Sequence, residues 1–501
     1  MQSRWRFVKN ALANLGRGSA AAVVSVLLPP ILVRHMPAAS YAVWILVLQT
    51  AAYVSYLNFG LQTAIGRYVA YANARGDVAQ RDSVFSTAFA GLCGAALLAL
   101  LGLAVVTAAA PAIFPSVPPL LVLPMRLALL IVGFSMAMEL PASACNGVFI
   151  GVERYEVPAL TIGGARLVSA IGVVAAALAG RSLIFMATVV AAANLASYAA
   201  QFLALRNLAP EIRFHPALVS RSTARELYGY CFGLTVMSIS TLLVSGLDLA
   251  IVGHFDFAAV IPYSVAASMI LLIAGLLYAV VNVILPHAAV LHAREQAAEM
   301  GQLVISTTRI SVLLLVLSGL PILIYARPIL HLWIGQRFVS TGAPILAVLI
   351  VANIIRLIGA PYAVILVAGG QQNYIKISPL SEGISNFIAS LALGALFGGI
   401  GVAMGTLVGS FVSIGSHLFY SMPRTRAAIA LSRRELIVSG VLEPLLWTLP
   451  LVAVATAVTL FNTPVPLTAF ILLFALSACG ALVCLRRSGM MSLRHPRATA
   501  E

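Results

Sequence analysis

Lysine is almost missing from this chain: Lys9 and Lys376 stand against 28 arginines in 501 residues. Charge of either sign is scarce, with 9% of positions charged and only 15 of them acidic. Soluble domains are about 25% charged and ~45–50% apolar. A chain that is 61% apolar cannot bury all of that surface inside one soluble core. The five cysteines, Cys93, Cys145, Cys231, Cys479 and Cys484, lie in apolar runs without metal-ligand spacing and read as small packing residues. Apolar and polar residues do not alternate with period two, which argues against an outer-membrane barrel. No Walker A, GxSxG or HExxH motif and no clustered Cys/His set occurs, so no catalytic residue, cofactor or metal is expected.

Long apolar runs are what the chain has instead. They recur from Val8 to Leu485, and the mean hydropathy is +1.02. A bilayer core is ~30 Å thick and takes ~20 apolar residues per helix. The expected fold is therefore an all-α polytopic membrane protein with about fourteen transmembrane helices. The segments are approximately 11–34, 41–64, 84–110, 123–149, 158–180, 183–205, 229–254, 261–290, 308–331, 343–369, 379–397, 400–420, 440–461 and 466–485. The first run follows Arg4, Arg6 and Lys9 and continues to Arg34, longer than a signal-peptide core, and reads as an uncleaved helix.

The basic residues sort by side. The N-terminus, alternate loops and the C-terminal tail hold 22 of the 30, the opposite connections hold five, and three lie within apolar segments. Positive-inside bias places both termini in the cytoplasm. The net charge of +15 is spread over short loops, so it reads as orientation signal and lipid attraction, not as a nucleic-acid surface. No loop is long enough to fold alone, which excludes a sizeable catalytic domain outside the membrane.

A shift of about 220 residues brings similar features into register. His35-Met36-Pro37 with Tyr41 matches His254-Phe255-Asp256 with Tyr263, and Gly151–Tyr155 matches Gly370–Tyr374. Six segments on each side of the shift give two parallel six-helix repeats plus two C-terminal helices, a plan that places a transport site between halves. The expected divisions are a bundle over 1–206, a cytoplasmic linker over 207–228, a second bundle over 229–424, and two extra helices with a tail over 425–501. Pro29-Pro30, Pro141, Pro286, Pro321 and Pro361 are expected to interrupt helices.

Arg17, Arg166 and Arg356 fall inside apolar segments. A charge near the bilayer centre costs at least ~2.5–3.5 kcal/mol, so such residues face a cavity or a partner. Arginine presents a planar fork suited to phosphate. The acidic residues in or near segments are Glu139, Asp248, Glu382 and Glu443. Glu382 and Glu443 read as contacting headgroups or loops near the cytoplasmic ends. Glu139 and Asp248 read as deeper, either in ion pairs with the arginines or in the cavity. His254 and His417 are candidates for proton coupling.

Tyr41-Ala42-Val43-Trp44, Leu57-Asn58-Phe59-Gly60-Leu61 and Arg67-Tyr68 resemble the polysaccharide (O-antigen type) flippases of the multidrug/oligosaccharidyl-lipid/polysaccharide exporter superfamily. Asn146-Gly147 through Tyr155, Asp248 through Gly253 with Tyr263, and Gly399 through Gly405 are similar to the same family. The family often has Asp where Asn58 stands. The resemblance implies transport of an undecaprenyl-diphosphate-linked oligosaccharide, with membrane lipids and other glycan-assembly proteins as partners and a monomer as the working unit. Arg17, Arg166 and Arg356 are then the expected substrate contacts, and Asn58, Glu139 and Asp248 the expected gating or coupling residues. The alternatives are a multidrug or organic cation antiporter of the same superfamily and a membrane-embedded glycan polymerase or ligase.

Overall fold

Val26–His35 is helical straight through Pro29-Pro30, so the prolines expected to break the first span do not do so. The computed structural model describes residues 26–370, 374, 376–461 and 465–487. Among them there is no strand. We number the helices from α1, Val26–His35. The second span is α2, Ala38–Ala52, a 3-10 turn over Tyr53–Asn58, and α3, Leu61–Arg75. Phe59 (φ 51°) and Gly60 (φ 76°) sit consecutively in the left-handed region and separate the two helices. Then follow α4, Val78–Ile113; α5, Pro119–Gly151; α6, Glu156–Leu178; and α7, Leu183–Leu208. Pro141 stays within continuous α5.

The seventh span is α8, Arg221–Thr241, a π turn over Leu242–Gly246, and α9, Asp248–Phe255. The eighth joins α10, Val260–Val281, to α11, Leu285–Ala293, through a 3-10 turn over Asn282–Ile284 beside Pro286. Beyond it lie α12, Ala297–Ile324; α13, Ala326–Ile334; α14, Val339–Ile358; and α15, Ala360–Ala368. Pro361 does mark a break, between α14 and α15.

Eleven helices among the described residues are long and apolar enough to cross a membrane, and a pair bent by 77°, Arg433–Trp447 with Leu449–Phe461, makes a twelfth. One of the eleven, Ile377–Arg424, has 48 residues. At 1.5 Å per residue that is about 72 Å, more than twice a bilayer core. The reason is a reversal at Gly398 (φ 62°, ψ −139°) inside α16, Ile377–Ser416. Its two limbs return on each other as the eleventh and twelfth spans. With this reversal and the bent pair the described residues hold thirteen apolar spans, and the expected first span is described only over Val26–His35. The last of them is α17, Leu467–Arg487.

Glycine makes the α16 hairpin possible. A Cβ on Gly401 would overlap the Leu393 carbonyl, one on Gly405 would overlap Ser390, and one on Gly409 would lie 2.9 Å from the Asn386 Cβ. Spaced four apart, the three form one smooth stripe that lets the limbs touch, the small-residue contact of membrane helices. Ser381 and Ser416 hydrogen-bond across it at 2.8 Å. Gly405→Leu is expected to leave little folded protein, because overpacking a close contact costs about 1–3 kcal/mol or more. Fluorescence size-exclusion chromatography in detergent checks this. A wild-type monodisperse peak from the variant would show that the limbs can separate.

The chain divides into two compact units, Met1–Ser264 and Val265–Glu501. In the first, α5 is central and packs on α2, α3, α4 and α7, with α6 against α7. Gly147 and Gly151 of α5 lie against α3: a Cβ on each would sit 2.8 Å from the carbonyls of Gln62 and Gly66. The core there gathers Leu61, Ile65, Phe85, Leu92, Leu140, Val148 and Phe149. The seventh span also packs in this unit, through α8 on α3 and α4 and α9 on α2. In the second unit α14 packs on α12, α13 and the α16 hairpin. Thus the tenth span has the same kind of central place that the fourth has in the first unit.

Candidate functional site

The first unit holds a partly open, polar-lined cavity of about 90 Å³ between α3, α5, α6 and α7. This has room for a few waters, each occupying ~30 Å³. Helical periodicity explains its lining. On α5, Met136, Glu139, Ser143 and Asn146 recur at spacings of three and four and share one face. On α7, Asn194, Ser197, Tyr198 and Gln201 do the same. Arg166 enters from α6 and Gln62 from α3.

The break in the second span supplies two more groups. Ser55 donates from Oγ to Glu139 Oε2 at 3.1 Å. Asn58 donates from Nδ2 to Ser143 Oγ at 2.8 Å, and its Oδ1 accepts from the Gln62 amide at 3.2 Å. Irregular backbone at membrane depth is tolerated only where it is buried in protein or lines a hydrated space. Asn194 Nδ2 donates to Ser135 Oγ at 3.1 Å, and Gln201 Nε2 to Ser197 Oγ at 3.3 Å. Asn146 Oδ1 is buried at the cavity wall without a hydrogen-bond partner among the described residues. Such an acceptor is satisfied by water or ligand in the working protein.

Arg166 faces this cavity, yet no carboxylate lies within 4.0 Å of it among the described residues. Its charge is felt by Glu139 and Tyr198 across the cavity. The cavity thus holds one carboxylate and one guanidinium not in contact, surrounded by amides and hydroxyls. The described residues contain no group of three or more His, Cys, Asp or Glu able to hold a metal ion.

Of the expected site residues, Asn58, Glu139 and Arg166 come together here. Asp248 is elsewhere in the first unit: it is buried at the start of α9, and Tyr263 Oη donates to its Oδ2 at 3.0 Å. Arg17 lies outside the described residues. Arg356 is in the second unit, in the last turn of α14. Its Nη2 donates to Asn353 Oδ1 at 2.6 Å, and its Nε lies 3.8 Å from Glu382 Oε1.

Three acid–base placements differ from expectation. Glu382 is buried in the α16 hairpin and faces Arg356 instead of headgroups, because the hairpin packs against α14. Glu443 is paired instead with Arg309, whose Nη2 approaches Glu443 Oε2 at 2.5 Å while its Nε donates to the Ser439 carbonyl at 2.6 Å. Arg309 stands at the edge of the expected segment 308–331 and is counted there with the preceding cytoplasmic loop. It lies well inside α12, which begins at Ala297. His417 is buried against Ser378 (3.1 Å), and His254 Nδ1 lies 2.6 Å from the Ile113 carbonyl.

Sequence reading missed Asn194, Ser197, Tyr198 and Gln201. Their three-and-four spacing within an otherwise apolar segment was the available signal. Asn146 was noticed only as part of a motif.

No protein-family model and no curated protein matches the chain. Solved structures do. The inward closed conformation of the lipid II flippase MurJ aligns with a TM-score of 0.69 at 13% identity, covering 95% of this chain and 99% of that one. An inward-facing multidrug resistance MATE family transporter of the MOP superfamily aligns with a TM-score of 0.67 at 12% identity, covering 83% of this chain and 98% of that one. A MOP superfamily transporter from Pyrococcus furiosus, described as having a binding pocket of reverse polarity, aligns with a TM-score of 0.54 at 13% identity over 84% of this chain and 96% of its own. At such identities the likeness concerns architecture, and it is extensive: this chain has the fold of the MOP superfamily transporters.

Proposed function

We propose that the protein is a flippase that moves an undecaprenyl-diphosphate-linked oligosaccharide, an O-antigen or exopolysaccharide repeat unit, across the bacterial inner membrane by alternating access. In this reading it works as a monomer with both termini in the cytoplasm. The observation that carries the reading is the extent of the structural match. The multidrug transporter accounts for 83% of the chain and the lipid II flippase for 95%. The difference is about 60 residues, fewer than the 77 of the two-helix appendage at 425–501.

That appendage also supplies a surface suited to a lipid tail. An apolar groove of about 530 Å³ runs between Ile310, Leu313, Leu314 and Leu317 of α12 and Ala478, Ala481, Leu482 and Leu485 at α17. A polyisoprenoid chain needs such a surface, while its diphosphate needs a cation and its sugar a hydrated space. Arg166 is the arginine best placed for phosphate, since among the described residues no carboxylate neutralises it at contact distance and it lines a cavity with polar groups. Arg17 is its proposed companion. Arg356, held by Glu382 and Asn353, is proposed to contact substrate only if that pair opens. Asn58, Glu139 and Asp248 are proposed as gating or coupling residues.

Glu139 is the observation that favours a second reading, export of an organic cation, for which a cavity carboxylate would be the attractive group. One experiment separates the two. Proteoliposomes are loaded with a fluorescent undecaprenyl-diphosphate oligosaccharide, and its movement between leaflets is followed by a membrane-impermeant quencher. The flippase reading expects transfer well above empty liposomes. Transfer at the empty-liposome rate, together with efflux of a fluorescent organic cation, would overturn it.

A further inference from the structure

A second cavity in the first unit, of about 570 Å³, belongs to neither transport reading. It opens where α4 begins and α7 ends, and the connection after α7 closes its third side. Its wall is aromatic: Phe85, Phe89, Phe202 and Phe214 line it with Leu205 and Ile212. Phe89 packs on Phe85 at 5.9 Å and on Phe214 at 5.3 Å between ring centroids. Two cations, Arg206 and Arg213, complete the lining.

The connection is pinned in place and is not a loose cover. Ser83 Oγ donates to the Leu218 carbonyl at 3.0 Å, the His215 amide donates to Ser86 Oγ at 3.1 Å, and the Ser220 amide donates to Thr87 Oγ1 at 3.1 Å. The nearby carboxylate of Glu211 is turned to Arg81, 3.9 Å away. Arg206 lies over the Phe202 ring at 5.1 Å, and Arg213 donates from Nε to the Pro210 carbonyl at 2.8 Å. These contacts orient both side chains without neutralising either, and the terminal guanidinium nitrogens of Arg213 have no hydrogen bond among the described residues.

We propose that this cavity binds one anionic phospholipid, its phosphate held by Arg206 and Arg213 and an acyl chain laid on the four phenylalanines. The chemistry points to an amphiphile. A soluble phosphate compound would use the arginines and leave the aromatic wall wet. A neutral lipid would use the wall and leave two cations unpaired at a depth where the helices end. Basic pockets between helix ends at a membrane face are the usual receptors for acidic headgroups, each cation adding about 1 kcal/mol near the surface. Arginine adds bidentate geometry toward phosphate. Zwitterionic lipid also carries a phosphate, but its ammonium opposes the same two guanidinium groups.

Native mass spectrometry of the full-length protein in detergent, with equal amounts of dioleoyl phosphatidylglycerol and dioleoyl phosphatidylethanolamine, reads the preference. Wild type is expected to retain the anionic lipid at least about tenfold over the zwitterionic one, and Arg206→Gln/Arg213→Gln to bring the ratio near unity. An unchanged ratio in the double variant would overturn the proposal. So would displacement of the lipid by glycerol phosphate at low excess, which would assign the site to a soluble phosphate. A photoactivatable phosphatidylglycerol on the unmodified protein makes the test independent of variant folding. Adducts on peptides containing Phe89, Phe202 or Phe214 support the site, and adducts confined to other regions reject it.

Discussion

Arg356→Ala is expected to lose folded protein before it loses any chemistry. The substitution leaves Glu382, whose side chain is 8% exposed, facing an uncompensated site in the α16 hairpin. Removing one partner of a buried pair costs about 3–5 kcal/mol. The pair here is 3.8 Å apart and Arg356 is itself 23% exposed, so the low end, about 3 kcal/mol, applies. In a unit of this size that corresponds to roughly 6–12 °C in apparent melting temperature.

The companion Arg356→Ala/Glu382→Ala is expected to recover most of the loss, since neither charge is then left alone. Thermal shift in detergent on the wild type, both single variants and the double variant forms the cycle. A single Arg356 variant with wild-type stability and no transport would instead make Arg356 a substrate contact. The physical difference lies in what each arginine already touches: Arg356 has a carboxylate and an amide within reach, and Arg166 has neither at contact distance.

Arg166→Ala is expected to do the reverse: the protein inserts, keeps its melting temperature within about 2 °C, and loses transport at least tenfold. No ion pair among the described residues is broken by this substitution, so stability is spared. What disappears is the only guanidinium among the described residues that line the Glu139 cavity. A charged hydrogen bond to phosphate is worth about 1.5–3 kcal/mol, which corresponds to roughly 10- to 150-fold. Arg166→Lys separates charge from geometry: near-complete recovery means charge suffices, and poor recovery means that the bidentate fork is used. The leaflet-transfer assay described above measures all three proteins. Full transport by Arg166→Ala would remove this residue from the site.

Some of this architecture was open to reading because it is local. Each span is a stretch whose own composition exceeds what a ~30 Å hydrocarbon layer requires, and no distant residue is needed to recognise it. The break at Asn58 went unread, and 41–64 was expected as one continuous span, although its cause is local: Gly60 favours left-handed backbone. Reading failed where a neighbour decides. Arg309 looked like a loop residue because it stands where polarity rises, between Gln302 and the apolar run from Ile310. In the structure α12 extends back to Ala297 and carries Arg309 alongside Glu443, 134 residues later in the chain.

The polar stripe of α7 shows the same limit from the other direction. Asn194, Ser197, Tyr198 and Gln201 were visible as residues, and their common face follows from 3.6 residues per turn. Which helix that face meets does not follow. Only packing places it against Glu139 and Ser143 of α5, with α6 bringing in Arg166.

The amino-acid sequence by itself determined that this is an all-helical membrane protein and roughly how many apolar spans it has. Those properties arise from how short stretches partition between water and lipid, so composition within about twenty residues is enough. Tertiary structure alone decided which of the arginines within spans are spoken for. Arg356 meets Glu382, Arg309 meets Glu443, and Arg166 is left facing a polar cavity. A charge inside a membrane protein takes its meaning from what lies within about 4 Å, and those neighbours are chosen by helices that meet across distant parts of the chain.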